Sequence, residues 1–255
     1  MGLRHYSDEI DTVPFSYTEA GQGETIILIP GTLGDEYLFE KIQQALADHF
    51  RVLVFDHLDL VSLHEVVHTF HQIFTEILGL SSFHVGGTSV GGWIAQHYTM
   101  TYPDMVQSLI IGNSFSDNTH LRHQSLRIYK ISRFIPWFIF RRVFEKNIRT
   151  SLVDYDPQIT RYFIQSLHDM GKTTLRRRLW WSLTPLPELN LDGQIPKLII
   201  YTKDDSVVSY DITQELIAHY PEAEVAEIET GNHYPYQTNP SAYIDTLSSF
   251  FDQIT

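Results

Sequence analysis

With 255 residues and a 43% apolar share, the chain can bury a full core, and disorder is excluded. It holds no cysteine, which excludes a disulfide framework and a thiolate zinc site. The formal charge of −13 is uneven: between His120 and Asn190 thirteen Lys and Arg face five Asp and Glu, a net of +8 that leaves −21 elsewhere.

The opening "MGLRHYSDEI" has no apolar h-region, so no signal peptide is expected, and Tyr6 stands where myristoylation wants Ser or Thr. "FIPWFIF" (134–140), the longest strongly apolar run, is far too short to span a bilayer. A soluble, cytoplasmic protein is expected.

Strands are expected at "ETIILIPG" (24–31), "RVLVFD" (51–56), "SFHVGGT" (82–88), "VQSLIIGNS" (106–114) and "KLIIYTK" (197–203). Each is a short apolar, β-branched run closed by a turn residue, as strands covered on both faces are. Helices are expected at 35–49, with Asp35 as N-cap, and at 62–79, 90–102, 209–220 and 239–252. The alternation predicts an α/β fold: a mostly parallel central sheet with helices on both faces. It breaks once, from about Ser116 to Pro196, where the pattern turns helical and rich in Arg and aromatics. The expected organisation is a core of residues 1–115 and 197–255 with a helical cap, 116–196, inserted between two strands.

"HVGGTSVGGWIAQ" (84–96) contains Gly87-Thr88-Ser89-Val90-Gly91, a G-x-S-x-G at a strand-to-helix junction. Such a turn exposes a serine hydroxyl at the carboxyl edge of the sheet, where ligands of parallel sheets bind. The hydroxyl needs a base, and the base needs an orienting acid. In this arrangement the chain order is Ser, acid, His. "YTKDDSVVS" supplies Asp205, preferred over Asp204, and "AEVAEIETGNHYPY" supplies His233 after a last strand. The expected oxyanion donors are the N–H of Val90, just after the nucleophile, and that of Thr32 in "PGTLGD", with Leu33 as the alternative.

A rival motif is "HEVVH" (64–68), the H-E-x-x-H of zinc hydrolases, with His71 nearby. At about 100° per residue, Leu63, Val66, Val67, Phe70, Ile73, Phe74 and Ile77 share one helix face, while His64, His68 and His71 fall opposite. That sets the histidines toward solvent, away from the strand ends, so no metal and no cofactor is expected.

"IPGTLG", "GGTSVGG", "YTKDDSVV" and "GNHYPY" together resemble the α/β-hydrolase fold superfamily over essentially the whole chain. "LIIGNSFSDNT", "IPWFIFRRVFEKNI" and "GNHYPYQTNPSAY" resemble its maspardin branch. The resemblance implies serine hydrolysis of an ester or related acyl bond by Ser89, His233 and Asp205, esterase- or lipase-like. Maspardin itself has no His at the last triad station, which implies the competing class, an interaction protein with a vestigial triad; His233 favours the enzyme. Two stations depart from the superfamily pattern: Pro30 replaces the usual His before the oxyanion glycine, and "FDHLDL" lacks R-G-x-G-x-S. The expected partner is a small or lipid-like acyl substrate. "FIPWFIFRRVF" also suits an anionic membrane surface or the lining of an acyl pocket. No nucleic-acid motif accompanies the basic charge, and nothing assigns an oligomeric state.

Overall fold

Five continuous apolar runs form the middle of one eight-stranded sheet. In a computed structural model that describes residues 2–116, 126, 129–187 and 195–254, the strands are β1 (Arg4–Ile10), β2 (Val13–Ala20), β3 (Glu24–Ile29), β4 (Phe50–Phe55), β5 (Phe83–Thr88), β6 (Val106–Gly112), β7 (Lys197–Thr202) and β8 (Glu224–Ile228). Their order is β1-β2-β4-β3-β5-β6-β7-β8. β2 pairs antiparallel with β1 and β4, and all other pairs are parallel. The helices are α1 (Glu40–Leu46), α2 (Leu63–Gln72), α3 (Val90–Thr101), α4 (Trp137–Ser151), α5 (Pro157–Trp181), α6 (Tyr210–His219), α7 (Pro235–Thr238) and α8 (Pro240–Ile254).

Alternate residues of each strand serve opposite faces. Ile27, Ile29, Leu53, Phe55, Val85 and Leu109 pack in one core with Phe70 of α2, Trp93 of α3 and Leu216 of α6. Ile26, Leu28, Val52, Val54, Ile110 and Leu198 pack in the other with Ile42 of α1 and Leu247 and Phe251 of α8. Cover on both faces is the reason these strands read as unbroken apolar runs. The expected α/β architecture is the one the chain adopts.

Three local features differ from expectation. The β1–β2 hairpin went unread because its two-residue turn, Asp11 (φ 48) and Thr12 (φ 69), takes the left-handed conformation without the glycine that usually announces it. The helix expected over 35–49 is shorter, because residues 35–39 form tight turns, Leu38 N to Asp35 O at 3.1 Å and Glu40 N to Tyr37 O at 3.1 Å. Asp35 is therefore not the N-cap of α1. Its Oδ1 accepts from Tyr37 N (2.9 Å) and from the Tyr162 hydroxyl (2.7 Å) of α5, while Phe39 stands at the cap without a side-chain bond. Finally, α2 passes into a π-helical turn at Ile73–Ile77.

Between β6 and β7 the described residues hold α4 and α5 and no strand; α5 bends at Gly171, whose φ of 72° leaves the helical region. Residues 117–125, 127–128 and 188–194 of the expected 116–196 insertion lie outside the described part. No described helix is long and apolar enough to cross a membrane.

Candidate active site

Ser89 joins β5 to α3 with φ 54 and ψ −122, a sparsely populated conformation for a non-glycine residue. Holding it there costs about 1–3 kcal/mol, supplied by the surrounding structure. Ser89 N donates to Gly112 O (2.9 Å), and Ser89 O accepts from Trp93 N (3.1 Å) and Ser114 Oγ (2.6 Å). The close approach of α3 to β3 needs glycine at 91, where a Cβ would stand 2.1 Å from Ile29 O and 2.4 Å from Pro30 O. The turn thus presents the Ser89 side chain at the carboxyl edge of the sheet.

Asp205 follows β7 and His233 follows β8. His233 Nδ1 bonds Asp205 Oδ2 at 2.9 Å, and both side chains are nearly inaccessible. Asp205 Oδ1 accepts from Val207 N (2.7 Å) and Val208 N (2.9 Å). Burial alone would raise the Asp205 pKa, but His233, Asn113 and the Val208 N–H together hold it below the usual carboxylate value. An ionised Asp205 accepts the Nδ1 proton and leaves Nε2 as the basic nitrogen of the ring. Ser89 and His233 line one cavity of about 260 Å³. No hydrogen bond joins them, as is common before a substrate draws nucleophile and base together.

Asp204 is brought to a different task. It accepts from Gly231 N (3.1 Å), Asn232 N (2.8 Å) and the Tyr155 hydroxyl (2.9 Å), so it braces the turn that carries His233. Sequence reasoning missed Asn113. At the end of β6 and with φ 40, it donates from Nδ2 to Asp205 Oδ2 (2.8 Å) and Thr202 Oγ1 (2.9 Å). A polar residue directly after a buried strand at the carboxyl edge was the available signal.

The loop after β3 is held by its carbonyls. Gly31 O accepts from His57 Nε2 (3.1 Å), Thr32 O and Gly34 O from Arg178 Nη1 (3.0 and 3.1 Å), and Leu33 O from Ser166 Oγ (2.5 Å). In a trans peptide each N–H points opposite the preceding carbonyl. His57, Ser166 and Arg178 do not line the cavity, whereas Thr32, Leu33 and Val90 do. The bonds to Gly31 O and Thr32 O therefore turn the N–H groups of Thr32 and Leu33 away from His57 and Arg178. The turn's own bond, Gly34 N to Gly31 O at 2.9 Å, uses neither amide. Val90 opens α3, so its N–H has no partner within the helix.

The unusual stretch after β4 supports this loop from below. His57 is buried, and burial followed by the Arg178 charge pushes its pKa well down, so the ring is neutral and Nε2 carries the proton given to Gly31 O. Asp56 Oδ1 accepts from His57 N (2.6 Å) and lies 3.4 Å from Arg178 Nη2. Burial pushes the Asp56 pKa up to about 6, with Arg178 pulling the other way. Asp56 and His57 both belong to "FDHLDL", one of the two stations that depart from the superfamily pattern.

Of the HEVVH motif and its neighbour, His68 and His71 are engaged by tyrosines. His68 Nδ1 meets the Tyr102 hydroxyl at 2.9 Å and His71 Nδ1 the Tyr98 hydroxyl at 3.1 Å, while the His71 ring stacks on Tyr102 at 3.7 Å. Among the described residues no three His, Asp or Glu are grouped to hold a metal ion.

A family model described as the alpha/beta hydrolase fold matches residues 24–131. RutD of Serratia proteamaculans, which its name proposes to be a carbamate hydrolase, is 26% identical over 234 residues, 82% of this chain and 84% of that one. Maspardin of Mus musculus is 27% identical over 248 residues, 90% of this chain and 76% of its own. The solved structure of an esterase from Thermogutta terrifontis superposes with a TM-score of 0.80 at 16% identity, covering 100% of this chain and 99% of that one.

Proposed function

The chain belongs to the α/β-hydrolase fold superfamily, is similar to maspardin, and from that premise we propose that it is a serine hydrolase of esters or related acyl bonds. The observation that carries this reading is that His233, bonded to Asp205, lines the same cavity as Ser89. His233 Nε2 takes the Ser89 proton as Oγ attacks the acyl carbon. The oxyanion is met by the N–H of Val90 and that of Thr32, or of Leu33. His233 then gives the proton to the leaving group, and water repeats the sequence on the acyl-enzyme. Asp205 keeps the imidazole in one tautomer and stabilises its charged form. No cofactor enters any step.

The cavity of about 260 Å³ suits a short acyl group. A second chamber of about 190 Å³ shares Phe144, Leu179, Ser182 and Leu183 with it, which gives a longer chain somewhere to extend. We propose that α4 and α5 act as a cap over these chambers. The name of RutD brings carbamates into the acyl class to be tried.

A fluorophosphonate should label Ser89 alone, and Ser89→Ala should abolish both labelling and turnover of p-nitrophenyl esters of graded chain length, a loss on the order of 10⁶ in kcat. The similarity to maspardin supports a second reading, an interaction protein whose triad is idle. Absence of labelling in the intact protein, with no turnover of esters or carbamates, would select that reading.

A further inference from the structure

Helix α4 has two faces of different chemistry. At about 100° per residue, Phe140, Phe144 and Ile148 fall on one side, and Phe138, Ile139, Arg142, Val143, Lys146 and Arg149 on the other. The first set turns inward: Phe140 and Ile148 are buried in a core, and Phe144 lines both chambers. The second set is exposed, with Phe138 at 56% and Val143 at 54%. In the turn before the helix Phe134 is 76% exposed with Arg133 over its ring at 4.8 Å, and Ile131 is 59% exposed. Trp137 is only half-buried and packs beside Phe140 at 6.2 Å, so it belongs to the inner face.

The charge on this face is also unusual. On the flank of α4, Arg141 is paired with Glu145 at 3.1 Å. Among the described residues Arg142, Lys146 and Arg149 have no ion-pair partner; they line one open groove together, and Arg149 lines the next with Arg161. A chain of net charge −13 thus sets Arg142, Lys146 and Arg149 on one helix face with the exposed Phe138, Ile139 and Val143. Exposed apolar groups clustered with unpaired cations are the two halves of an interfacial binding surface, one for the acyl boundary and one for anionic headgroups.

We propose that the outward face of α4 and the turn before it dock on an anionic lipid surface. The headgroups meet Arg142, Lys146 and Arg149, and Phe134, Phe138 and Ile139 enter the boundary. The opposite face of the same helix lines the two chambers, so an acyl chain leaving the lipid has about one helix diameter to travel. Docking itself does not rest on the hydrolase reading.

The test uses the whole protein with vesicles of phosphatidylcholine alone and of phosphatidylcholine with about a quarter phosphatidylserine, a composition carrying the negative surface potential that attracts basic segments. The protein should co-sediment with the anionic vesicles at low ionic strength, less with neutral ones, and release in high salt. Each cation removed should weaken binding about fivefold, so Arg142→Glu with Lys146→Glu and Arg149→Glu should abolish it. Phe134→Ser with Phe138→Ser should weaken binding by about tenfold or more while leaving the remainder salt-sensitive. These exposed changes should leave turnover of a short water-soluble ester unaltered, and Ser89→Ala should bind vesicles as the parent does. A parent protein that ignores anionic vesicles at low salt, or variants that bind like it, would overturn the proposal. So would capture by polyglutamate with the vesicles left unbound, an outcome that makes the partner an acidic protein.

Discussion

The site is assembled from two regions that differ in how they hold their parts. On the sheet side, Ser89, Asp205 and His233 each sit within a few residues of a strand end, held by their own turns and by the adjoining strand ends through Gly112, Asn113, Ser114 and Asp204. On the helix side, Arg178, Ser166 and Tyr162 of α5 reach across more than 120 residues of sequence to grip Thr32, Leu33, Gly34 and Asp35. The sheet side presents the groups proposed to react; the helix side sets the direction of the loop proposed to meet the oxyanion. A local turn can be disturbed by its own residues, whereas the loop is disturbed from a distant helix.

The largest effect expected within this comparison separates the two carboxylates of the sheet side. Asp205→Asn should lower kcat on the order of 10⁴, because the amide leaves the imidazole in the wrong tautomer. Asp204→Asn should cost far less in kcat and appear chiefly as a lower Tm, since Asp204 bonds the Gly231–Asn232 turn and Tyr155. The reverse ranking in steady-state kinetics would transfer the acid's role and undo the description of both turns.

Next comes the helix side. Arg178→Met should reduce kcat about 10²–10³-fold with a smaller change in KM, the signature of lost oxyanion donors. Some stability should go as well, since Asp56 is left without its cation. Unchanged kcat beside a lowered Tm would make α5 a scaffold only, and the distinction between the two regions would fall. Asn113→Ala should act through Asp205, lowering kcat about tenfold, one charge-assisted hydrogen bond's worth. Comparable losses in labelling rate and in ester turnover would place its effect on the His233–Asp205 pair; a change in KM alone would not.

The smallest effect is in pH. The folded pKa of Asp56, about 6, lies above its ordinary value of 3.8. Its share of stability is therefore full below the ordinary value and is lost as pH rises through the folded one. Thermal unfolding of Asp56→Asn compared with the parent at about pH 5 and about pH 7 should show that this slope has gone. A slope of the same size in the variant would assign it to another group.

The same division explains what could be read from the sequence. The positions of Ser89, Asp205 and His233 at strand ends were legible because a strand, a turn and their order are local patterns, and the buried face of α2 because helical periodicity is local too. Asp205 and Asp204 are adjacent in sequence, and only the fold shows that Asp205 is the one in contact with His233, at 2.9 Å. Arg178 was one basic residue among thirteen between His120 and Asn190; its bonds to Thr32 and Gly34 span 146 and 144 positions, and no spacing rule reaches that far. Asp35 looked like a helix cap for the same reason, since Tyr162, which takes its carboxylate, is 127 positions away. Asn113 lay inside a recognised stretch yet drew no role, because its partner Asp205 joins it only when β6 and β7 pair.

Four successive carbonyls of the β3 loop accept bonds from His57, Arg178 and Ser166, and this ties the loop's opening to that of α5. Its one bonded amide, Gly34 N, should then share the protection of the helix rather than that of β3, the strand that precedes the loop. In native-state hydrogen exchange, the Gly34 amide, bonded to Gly31 O, should follow the opening free energy of Ser166 and Arg178, whereas Ile27 and Leu28 report the slower opening of the sheet. Separate exchange rates for the loop and α5 would disprove the link. If they open as one, any event that loosens α5 transiently disassembles the proposed oxyanion site while Ser89, clamped to Gly112 and Ser114, stays in place.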